Sequence, residues 1–272
     1  ILTKGGNQLN LNLEGKIVII TGGSDGIGKE TARIMAEEGA NVSIFARNIE
    51  NLNKAKDEIK KSSNKDVDVH SVDVRNEIEV KDTISKIIES KGNVDILVNN
   101  AGTSSAHPIM NITEKLMNED LGTKLFGAIY MTQAVVPSMK KNGGGSIINI
   151  TTPGGKASGA NTVPTSVSRA AGISLTKATS KELSEFNIRV NTVCVGLFKS
   201  GQHRKRYEIR LKDEPSLTLE NFYKELGQSV PLGNRVGEAK EAASLITYLS
   251  SDLSGYITGT AINIDGGVSP VV

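Results

Sequence analysis

The stretch TGGSDGIG at residues 21–28 is rich in glycine and has the features of a phosphate-binding turn. Its glycines, Gly22, Gly26 and Gly28, follow a G-x-x-x-G-x-G spacing. Glycine permits positive φ angles and lets the backbone approach a ligand closely, and the start of a helix offers free N–H groups to an anion. Because the stretch lies between an apolar run and a helical pattern, it predicts a pyrophosphate site; a tight turn without a ligand is the alternative.

The end of the second apolar run decides which dinucleotide such a turn would hold. A site for NAD has a carboxylate at this point, about 20 residues after the glycines, that binds the ribose 2′-hydroxyl. This chain has FARN at 45–48, and the guanidinium of Arg47 could pair with a 2′-phosphate or stack on adenine. We therefore expect NADP(H) to be favoured over NAD(H). Asp25 in the glycine turn opposes this slightly, because a basic residue would suit a phosphate better.

A second stretch, NTVPTSVSRAAG at residues 161–172, is crowded with small hydroxyl side chains around Arg169. It contains no Tyr, Lys, His, Asp, Glu or Cys, and so it lacks the side chains that usually act as an acid or a base. Its composition predicts the start of a helix and leaves open what chemistry the segment performs.

Apolar runs alternate with helix-length patterns along the chain. Strands are predicted at 16–20, 41–46, 67–74, 94–100, 145–151, 188–195 and 260–267, and helices at 29–39, 49–62, 77–90, about 112–140, about 164–186 and 238–251. Continuously apolar strands separated by helices predict βαβ units and a parallel sheet covered on both faces. We expect a single α/β domain at 12–272, a Rossmann-type doubly wound parallel β-sheet flanked by helices, after an N-terminal tail at 1–11.

The composition argues against several classes of function. With 32 basic and 30 acidic residues in 272, the net charge of +2 provides no field for nucleic acid or for a membrane surface. No apolar run reaches the roughly 20 residues of a membrane span. Cys194 is the only cysteine, and the histidines have no metal-ligand spacing, so we expect neither a disulfide within the chain nor a metal site. The N-terminus lacks the apolar core of a signal peptide, and we expect a cytoplasmic protein.

Six motifs, in order along the chain, resemble those of the short-chain dehydrogenase/reductase family. They are TGGSDGIG (21–28), VDV ending at Asp73-Val74, NNAG (99–102), GSIINIT (145–151), NIRVNTV (187–193) and SGYITGTAINIDGG (254–267). The resemblance covers about 12–268 and implies a nicotinamide cofactor bound across the C-terminal ends of the strands. It also implies a small-molecule substrate and a homo-oligomer, either a dimer or a tetramer.

The resemblance also implies, residue by residue, which positions contact the cofactor. Asp73 would hold the adenine amine, and Ser200 would bind the nicotinamide carboxamide. Gly196 stands where the family has the glycine of a Pro-Gly turn, although Val195 replaces the proline. The cofactor-binding residues that we expect are Gly22, Ser24, Asp25, Gly26, Ile27, Gly28, Arg47, Asp73, Val74, Asn99, Asn100, Ala101, Gly102, Arg169, Gly196 and Ser200.

The four catalytic positions of the family are all replaced in this chain. In the family, a Tyr exchanges a proton with the substrate oxygen, and a Lys four residues later lowers the pKa of that Tyr and holds the ribose. A Ser orients the carbonyl, and an Asn keeps a water in a proton relay. In the order Tyr, Lys, Ser, Asn, this chain has Thr165, Arg169, Thr152 and Lys124. No Tyr occurs from 131 to 206, so a shift of register does not supply one.

These replacements raise the question of where the proton comes from. A Thr hydroxyl is far less acidic than a phenol, whose pKa is about 10, so Thr165 is a poor acid. Arg169 keeps a cation near the ribose. Lys124 close to that cation would have a lowered pKa and could donate the proton. Alternatively, Lys124 only fills the space of the Asn or pairs with Glu119 or Asp120.

The variable segment at 199–229 offers other donors. It resembles the segment that covers the substrate in the family, and His203 or Tyr207 could bring an acid into the site. Its run of cations could select an anionic substrate; a solvated, charged helix face is the alternative. Bound water, or no donor at all, also remains open.

Three functions are compatible with these residues. We favour an NADP(H)-dependent oxidoreductase that acts on a carbonyl or alcohol with a non-standard proton donor. A catalytically silent NADP-binding or scaffold protein, and a lyase or isomerase without net redox chemistry on the same fold, are the alternatives. The intact cofactor motifs favour the first function, and the replaced catalytic positions motivate the second.

Overall fold

The computed structural model describes residues 10–272, so most of the expected tail at 1–11 lies outside the described residues. The strands are β1 (Ile17–Thr21), β2 (Asn41–Ala46), β3 (Asp68–Ser71), β4 (Ile96–Asn99), β5 (Ala106–His107), β6 (Gly145–Thr151), β7 (Val163–Pro164), β8 (Ile188–Val195) and β9 (Ala261–Ile264). Within the described range, seven of them form a parallel sheet in the order β3-β2-β1-β4-β6-β8-β9. The predicted Rossmann-type sheet is confirmed.

Helices cover both faces of this sheet. They are α1 (Gly26–Glu37), α2 (Ile49–Ser63), α3 (Glu77–Lys91), α4 (Glu114–Leu121), α5 (Gly127–Lys141), α6 (Thr165–Glu182), α7 (Gly201–Arg210), α8 (Leu219–Gly227) and α9 (Ala239–Ser250). Single turns of 3-10 helix lie at Ile109–Asn111, Pro153–Gly155, Ser184–Phe186 and Asp252–Ser254. The strands expected at 67–74, 94–100 and 260–267 are shorter than predicted, because residues at both of their ends belong to the adjoining loops.

Alternate residues of β1 face opposite layers of helices. Val18 and Ile20 lie in one apolar core with Met35 of α1, whereas Ile19 lies in a second core with Met131 of α5. All of these side chains are fully buried. A strand covered on both faces must be apolar at every position, which explains its continuous run of apolar residues.

The order of the strands reverses between β1 and β4, because β2 lies on one side of β1 and β4 lies on the other. In open parallel sheets, ligands bind in the crevice at the C-terminal ends of the strands where such a reversal occurs. Thr21 ends β1 and Asn99 ends β4, so the glycine turn and the NNAG motif meet at this crevice.

Asn100 ties the glycine turn to the end of β4. Its Nδ2 donates hydrogen bonds to the carbonyl oxygens of Thr21 and Gly22, each at 3.1 Å. In return, Thr21 Oγ1 accepts hydrogen bonds from the backbone N–H groups of Asn100 at 2.9 Å and Ala101 at 3.0 Å. These polar contacts fix the shape of the turn, because the carbonyls of the bend have no strand partner of their own.

A small antiparallel ribbon, β5-β7, places the start of α6 against the loop that follows β4. In this ribbon Ala106 pairs with Pro164. The N–H of Thr165 then donates to the carbonyl oxygen of Ser105 at 3.1 Å. Thr165, the first residue of α6, is therefore held beside the loop after β4.

The helix expected at about 112–140 contains an irregular turn. One π turn, Gly122–Phe126, joins α4 to α5, and Lys124 lies within it. Such turns are rare and frequently occur at functional sites. Just after the turn, a Cβ on Gly127 would lie 2.8 Å from Val74 Cγ2, so this helix can approach the β3–α3 loop only because the residue is glycine. The apolar period of the sequence does not reveal the turn.

The charged segment at 199–229 contains two helices, α7 and α8. Ser200 and Thr218 cap their N-termini, since each hydroxyl oxygen accepts a hydrogen bond from the N–H three residues later. The ring of Phe222 is buried, and its centre lies 5.8 Å from that of Tyr207. A small apolar contact therefore holds the two helices together.

Across residues 10–272 no helix has the length and apolar composition needed to cross a bilayer. The same range contains no group of three or more His, Cys, Asp or Glu side chains arranged to hold a metal ion.

Replacement of Asn100 by Ala should lower the free energy of unfolding by about 1–3 kcal/mol, because the carbonyls of Thr21 and Gly22 lose their donor at a partly buried site. Urea denaturation would measure the change. Asn53→Ala, on the exposed face of α2, is the matched control and should leave stability nearly unchanged. Equal stability of the two variants would contradict the role given to Asn100.

Candidate functional site

The glycine turn is closely packed and has room for backbone only. A Cβ on Gly28 would lie 2.4 Å from the carbonyl oxygen of Gly22 and 2.5 Å from Asn100 Nδ2. Gly22 and Gly26 have φ angles of 65° and 54°, which side-chain-bearing residues rarely adopt. The three glycines predicted to hold a pyrophosphate therefore form the bare, curved backbone that this group requires.

The first turn of α1 presents its N–H groups to this curve. Asp25 is the N-cap residue, and within the described chain its side chain forms no hydrogen bond to the first turn. Its carboxylate instead accepts a hydrogen bond from the N–H of Gly201, at the start of α7, at 2.9 Å. Ser24 and Ile27 flank Asp25 and Gly26 in the same turn. Free N–H groups and the helix dipole suit an anionic diphosphate.

Charged side chains gather in the loops that follow β2 and β3. Asp73 accepts hydrogen bonds from Arg75 Nε, with 3.0 Å to each carboxylate oxygen. The hydrogen bonds from Arg75, together with the charge of Arg47, lower the pKa of Asp73, so this carboxylate is ionised. Arg47 itself is exposed, and no ion pair engages it within residues 10–272. Val74, next to Asp73, is buried under the helix that carries the π turn.

Lys124, in the π turn, and Thr165, at the start of α6, are in contact. The Nζ of Lys124 donates a hydrogen bond to Thr165 Oγ1 at 2.9 Å and forms an ion pair with Asp120. The side chain of Lys124 is 2% exposed and that of Asp120 is 4% exposed. The pairing with Asp120 that the sequence offered as an alternative is present, and the contact with Thr165 is present as well.

The hydroxyl of Thr165 has a second donor. The N–H of Ser105 donates to Thr165 Oγ1 at 2.8 Å, so the oxygen accepts hydrogen bonds from two sides. With both acceptor positions occupied, the proton of the hydroxyl is free to be donated to a third group. Two donors also stabilise negative charge that develops on the oxygen.

Arg169 is fully buried beside this pair. Its Nη1 donates to the carbonyl oxygen of Ile150 at 2.6 Å, and its Nε has no partner among the described residues. Its Nη2 lies 3.3 Å from the point where Gly102 would carry a Cβ, so a glycine there leaves the guanidinium room. Burial lowers the pKa of Arg169 to about 10, and the group remains a cation at neutral pH.

The pKa of Lys124 is lowered to about 8. Burial is the main cause, and the nearby cation of Arg169 adds to it, while the hydrogen bond and the charge of Asp120 act in the opposite direction. At neutral pH most of the Lys124 side chains carry the proton, and they give it up far more readily than an exposed lysine does.

Other predicted residues lie at the ends of β4, β6 and β8. Asn99 and Lys124 line the same narrow cleft as Arg169, and the Oδ1 of Asn99 is buried without a partner in the described chain. Thr152 is partly buried at the end of β6, just before the turn Pro153–Gly155. Gly196, at the end of β8, packs against Asp265, from whose Cβ a Cβ of its own would be only 2.6 Å away.

Both candidate acids of the 199–229 segment lie on α7. His203 is buried, and its Nδ1 is 2.7 Å from the carbonyl oxygen of Phe198. The hydroxyl of Tyr207 donates to the carbonyl oxygen of Leu217 at 3.2 Å. The structure therefore does not bring these two side chains together with Thr165. It does bring the N-terminus of α7 across the crevice, because Gln202 Oε1 accepts a hydrogen bond from the N–H of Ser104 at 3.0 Å.

Three residues of the site were not predicted to contribute to it. Ser105 lies in the loop after β4, Ser168 donates to Asp120 Oδ2 at 2.6 Å, and Arg75 holds Asp73. Asp120 was considered only as a partner of Lys124. Its place four residues before a lysine was visible in the sequence, but the contacts of the other three depend on the tertiary fold.

Comparisons with known proteins match the chain to a family of reductases and to individual reductases. Residues 22–269 match a protein family described as enoyl-(acyl carrier protein) reductase. A 3-oxoacyl-(acyl carrier protein) reductase of Thermotoga maritima is 34% identical over 258 residues, which are 95% of this chain and 99% of that protein.

Solved structures agree with these sequence matches. An L-sorbose reductase from Gluconobacter frateurii, complexed with NADPH and L-sorbose, superposes with a TM-score of 0.90 at 28% identity and covers 97% of this chain and 100% of its own. An NADPH-bound short-chain oxidoreductase from Pseudomonas aeruginosa PAO1, described as containing an atypical catalytic center, has a TM-score of 0.87 at 29% identity over 94% of this chain and 98% of its own.

The sequence match over nearly the whole chain, the parallel sheet with its glycine turn, and the likeness to solved reductases all agree with the resemblance that the motifs carry. The chain belongs to the short-chain dehydrogenase/reductase family.

Proposed function

We propose that the protein is an NADP(H)-dependent oxidoreductase that acts on a carbonyl or alcohol and draws its proton from Lys124 through Thr165. The observation that carries this proposal is the 2.9 Å hydrogen bond from Lys124 Nζ to Thr165 Oγ1. This pair lies at the position of the family's acid, beside an intact glycine turn. A chain that only bound the nucleotide would not require a buried lysine directed at this hydroxyl.

The residues present fit a nicotinamide dinucleotide. The glycine turn and the start of α1 would hold the pyrophosphate, and Arg169, whose buried Nε has no partner in the described chain, would hold the nicotinamide ribose. Asp73 and Val74 would lie beside the adenine, and Ser200 near the carboxamide. When bound, the nicotinamide supplies or accepts the hydride.

We propose a preference for the phosphorylated cofactor on the basis of Arg47. This cation lies exposed at the end of β2 with no ion pair in the described part of the chain, so it is available to a 2′-phosphate. Asp73, whose pKa is lowered in part by the charge of Arg47, forms its hydrogen bonds with Arg75 instead. The NADPH complexes of the Gluconobacter and Pseudomonas reductases support this choice.

Arg47→Asp should weaken the binding of NADPH by about 10- to 100-fold, because a charged hydrogen bond is lost, and should weaken that of NADH much less. Isothermal titration calorimetry with both cofactors would measure the two dissociation constants. Lys65→Asp, an equal change of charge at an exposed residue in the loop before β3, at the N-terminal ends of the strands, is the control. An unchanged ratio of the two constants in Arg47→Asp would exclude a role for Arg47 in the preference.

The proton path begins at Thr165. Its oxygen accepts hydrogen bonds from Lys124 and from the N–H of Ser105, so its own proton can pass to the substrate oxygen as charge develops there. The ammonium of Lys124 returns a proton to Thr165 in the same step, and Lys124 becomes neutral. Because the two transfers are concerted, Thr165 never has to exist as a free alkoxide, which compensates for its weak acidity. Thr152, at the position of the family's Ser, would orient the carbonyl.

Two groups of cations constrain the chemistry of the substrate. The crevice holds two buried cations, Lys124 and Arg169, and the exposed face of α7 carries Arg204, Lys205 and Arg206. We propose that this surface favours an anionic substrate, with 199–229 as its cover. A screen would therefore include 3-oxoacyl thioesters and ketoses, the classes named for the relatives, beside simple ketones.

We also propose that the protein forms a homo-oligomer, either a dimer or a tetramer, as the family resemblance implies.

Thr165→Val should reduce kcat about 100-fold or more, because it keeps the shape of the side chain and removes the hydroxyl that transfers the proton. Lys124→Met should have a similar effect, whereas Lys115→Met, with a side chain that is 85% exposed on α4, should not. The affinity for NADPH, measured by fluorescence titration, should change little in all three variants.

Since Lys124→Met leaves a buried carboxylate unpaired, Lys124→Met combined with Asp120→Asn serves as a second test if the single variant fails to fold.

Three outcomes would overturn the proposal. Full turnover in Thr165→Val would show that the proton comes from elsewhere. Tight binding of NADPH without oxidation of the cofactor over the whole panel would favour a silent nucleotide-binding protein. Conversion of a substrate with NADP unreduced would instead indicate a lyase or isomerase.

A further inference from the structure

Asp120 forms an ion pair with the proposed proton donor, Lys124, and lies outside the six motifs that carry the family resemblance. It is in the last turn of α4, with a side chain that is 4% exposed. One carboxylate oxygen, Oδ1, pairs with Lys124 Nζ. The other, Oδ2, accepts a hydrogen bond from Ser168 Oγ at 2.6 Å. Both oxygens of this buried carboxylate are therefore engaged in fixed contacts.

Ser168 connects this carboxylate to the helix that carries the other catalytic positions. It is buried on α6, and its hydroxyl lies 3.0 Å from the carbonyl oxygen of Thr165 as well as 2.6 Å from Asp120. Asp120 is thus anchored to α6 on one side and to Lys124 on the other. This places Lys124 Nζ against Thr165 Oγ1, which also belongs to α6.

We propose that Asp120 is a positioning residue for the reaction: it holds the amine of Lys124 against Thr165 and keeps that amine protonated for the transfer. This inference rests on the proposed function, since it assigns the group that controls the donor. It goes beyond it because it gives Asp120 a part in setting the pH range in which the donor works.

The charges around Lys124 support this role. On its own helix the neighbouring charged group is Asp120, and from α6 it is Arg169. In the described chain, the other residues lining the cleft, from the ends of β1, β4 and β6 and from the rest of α5 and α6, carry no charge. The carboxylate is therefore the one described anion beside two buried cations. Without it, the repulsion from Arg169 and the burial would both act on Lys124 unopposed.

The balance of charge also explains why position 120 carries a carboxylate and why a neutral amide would not serve the same purpose. Family members with an Asn at the position of Lys124 bring no second cation to this place. A lysine at this position adds a buried positive charge next to Arg169, and an unpaired buried charge is strongly destabilising. Asp120 offsets that charge and at the same time gives the amine a fixed direction.

Asp120→Asn is the decisive variant, because the amide keeps the size of the side chain and removes the charge, while its oxygen can still accept from Lys124 and its NH₂ can donate to Ser168 Oγ. We expect the pKa of Lys124 to fall by about one unit or more in this variant. It can be read without any turnover from the 13Cε chemical shift of labelled lysine during a pH titration, with the signal of Lys124 assigned by its loss in Lys124→Met. Glu119→Gln, an exposed carboxylate one residue earlier on α4, is the matched control.

The activity gives a second, independent reading. Under single turnover with bound NADPH and a carbonyl substrate, the pH at which the rate falls by half should move down in Asp120→Asn by the same amount as the pKa of Lys124. The affinity for NADPH should stay within about threefold, since Asp120 makes no contact with the residues of the glycine turn. Ser168→Ala, which frees one carboxylate oxygen and keeps the charge, should lower the rate while moving the pH midpoint less.

The outcomes separate the two proposals. A lysine pKa that shifts in Asp120→Asn, in a protein that oxidises no NADPH, would support the role of Asp120 toward Lys124 and overturn the oxidoreductase function. Active enzyme whose lysine pKa and pH midpoint are the same in Asp120→Asn and Glu119→Gln would overturn the role of Asp120 alone. If Asp120→Asn does not fold, Ser168→Ala decides: a rate equal to that of the wild type and of Glu119→Gln would overturn the positioning by Asp120, and a lowered rate with the lysine protonated over the same pH range would support it.

Discussion

The site depends on the burial of charge at the end of one parallel sheet. Arg169 and Lys124 are cations shielded from water, and each would be costly there without a partner. The backbone carbonyl of Ile150 and the carboxylate of Asp120 supply those partners. The buried amine of Lys124 also reaches the hydroxyl of Thr165. The π turn that contains Lys124 is part of the same arrangement.

This constraint explains how the family's chemistry can be kept after its usual acid has been replaced. In the family, a Tyr and a Lys four residues apart on one helix combine acidity and charge. In the proposed path the two properties are divided, because Thr165 on α6 would supply the hydroxyl and Lys124 in the neighbouring helix would supply the proton. Burial lowers the pKa of Lys124, and the repulsion by the charge of Arg169 adds to that effect, so the lysine would be a usable donor near neutral pH.

Much of the fold and of the nucleotide site could be predicted from the sequence, because local rules determine them. Continuous apolar strands and a glycine turn after the first strand predict the sheet and its crevice. The positions of Thr165 and Arg169 followed from the resemblance of fixed motifs. The π turn could not be predicted, since the apolar period of the helix continues through it. The contacts of Ser105 and Ser168 could not be predicted either, because they join segments about 50 residues apart or more in a way that only the tertiary fold decides.

The most direct test of the proton path is the pH dependence of NADPH oxidation in a single turnover, followed by stopped-flow absorbance in H₂O and D₂O. With wild-type protein and an accepted carbonyl, the rate should fall above pH 8 or so, as the Lys124 ammonium is lost, and it should be slower in D₂O. In Thr165→Val the residual rate should lose both features. A wild-type rate that rises with pH through this range, or an isotope effect retained in Thr165→Val, would contradict proton transfer from Lys124 through Thr165.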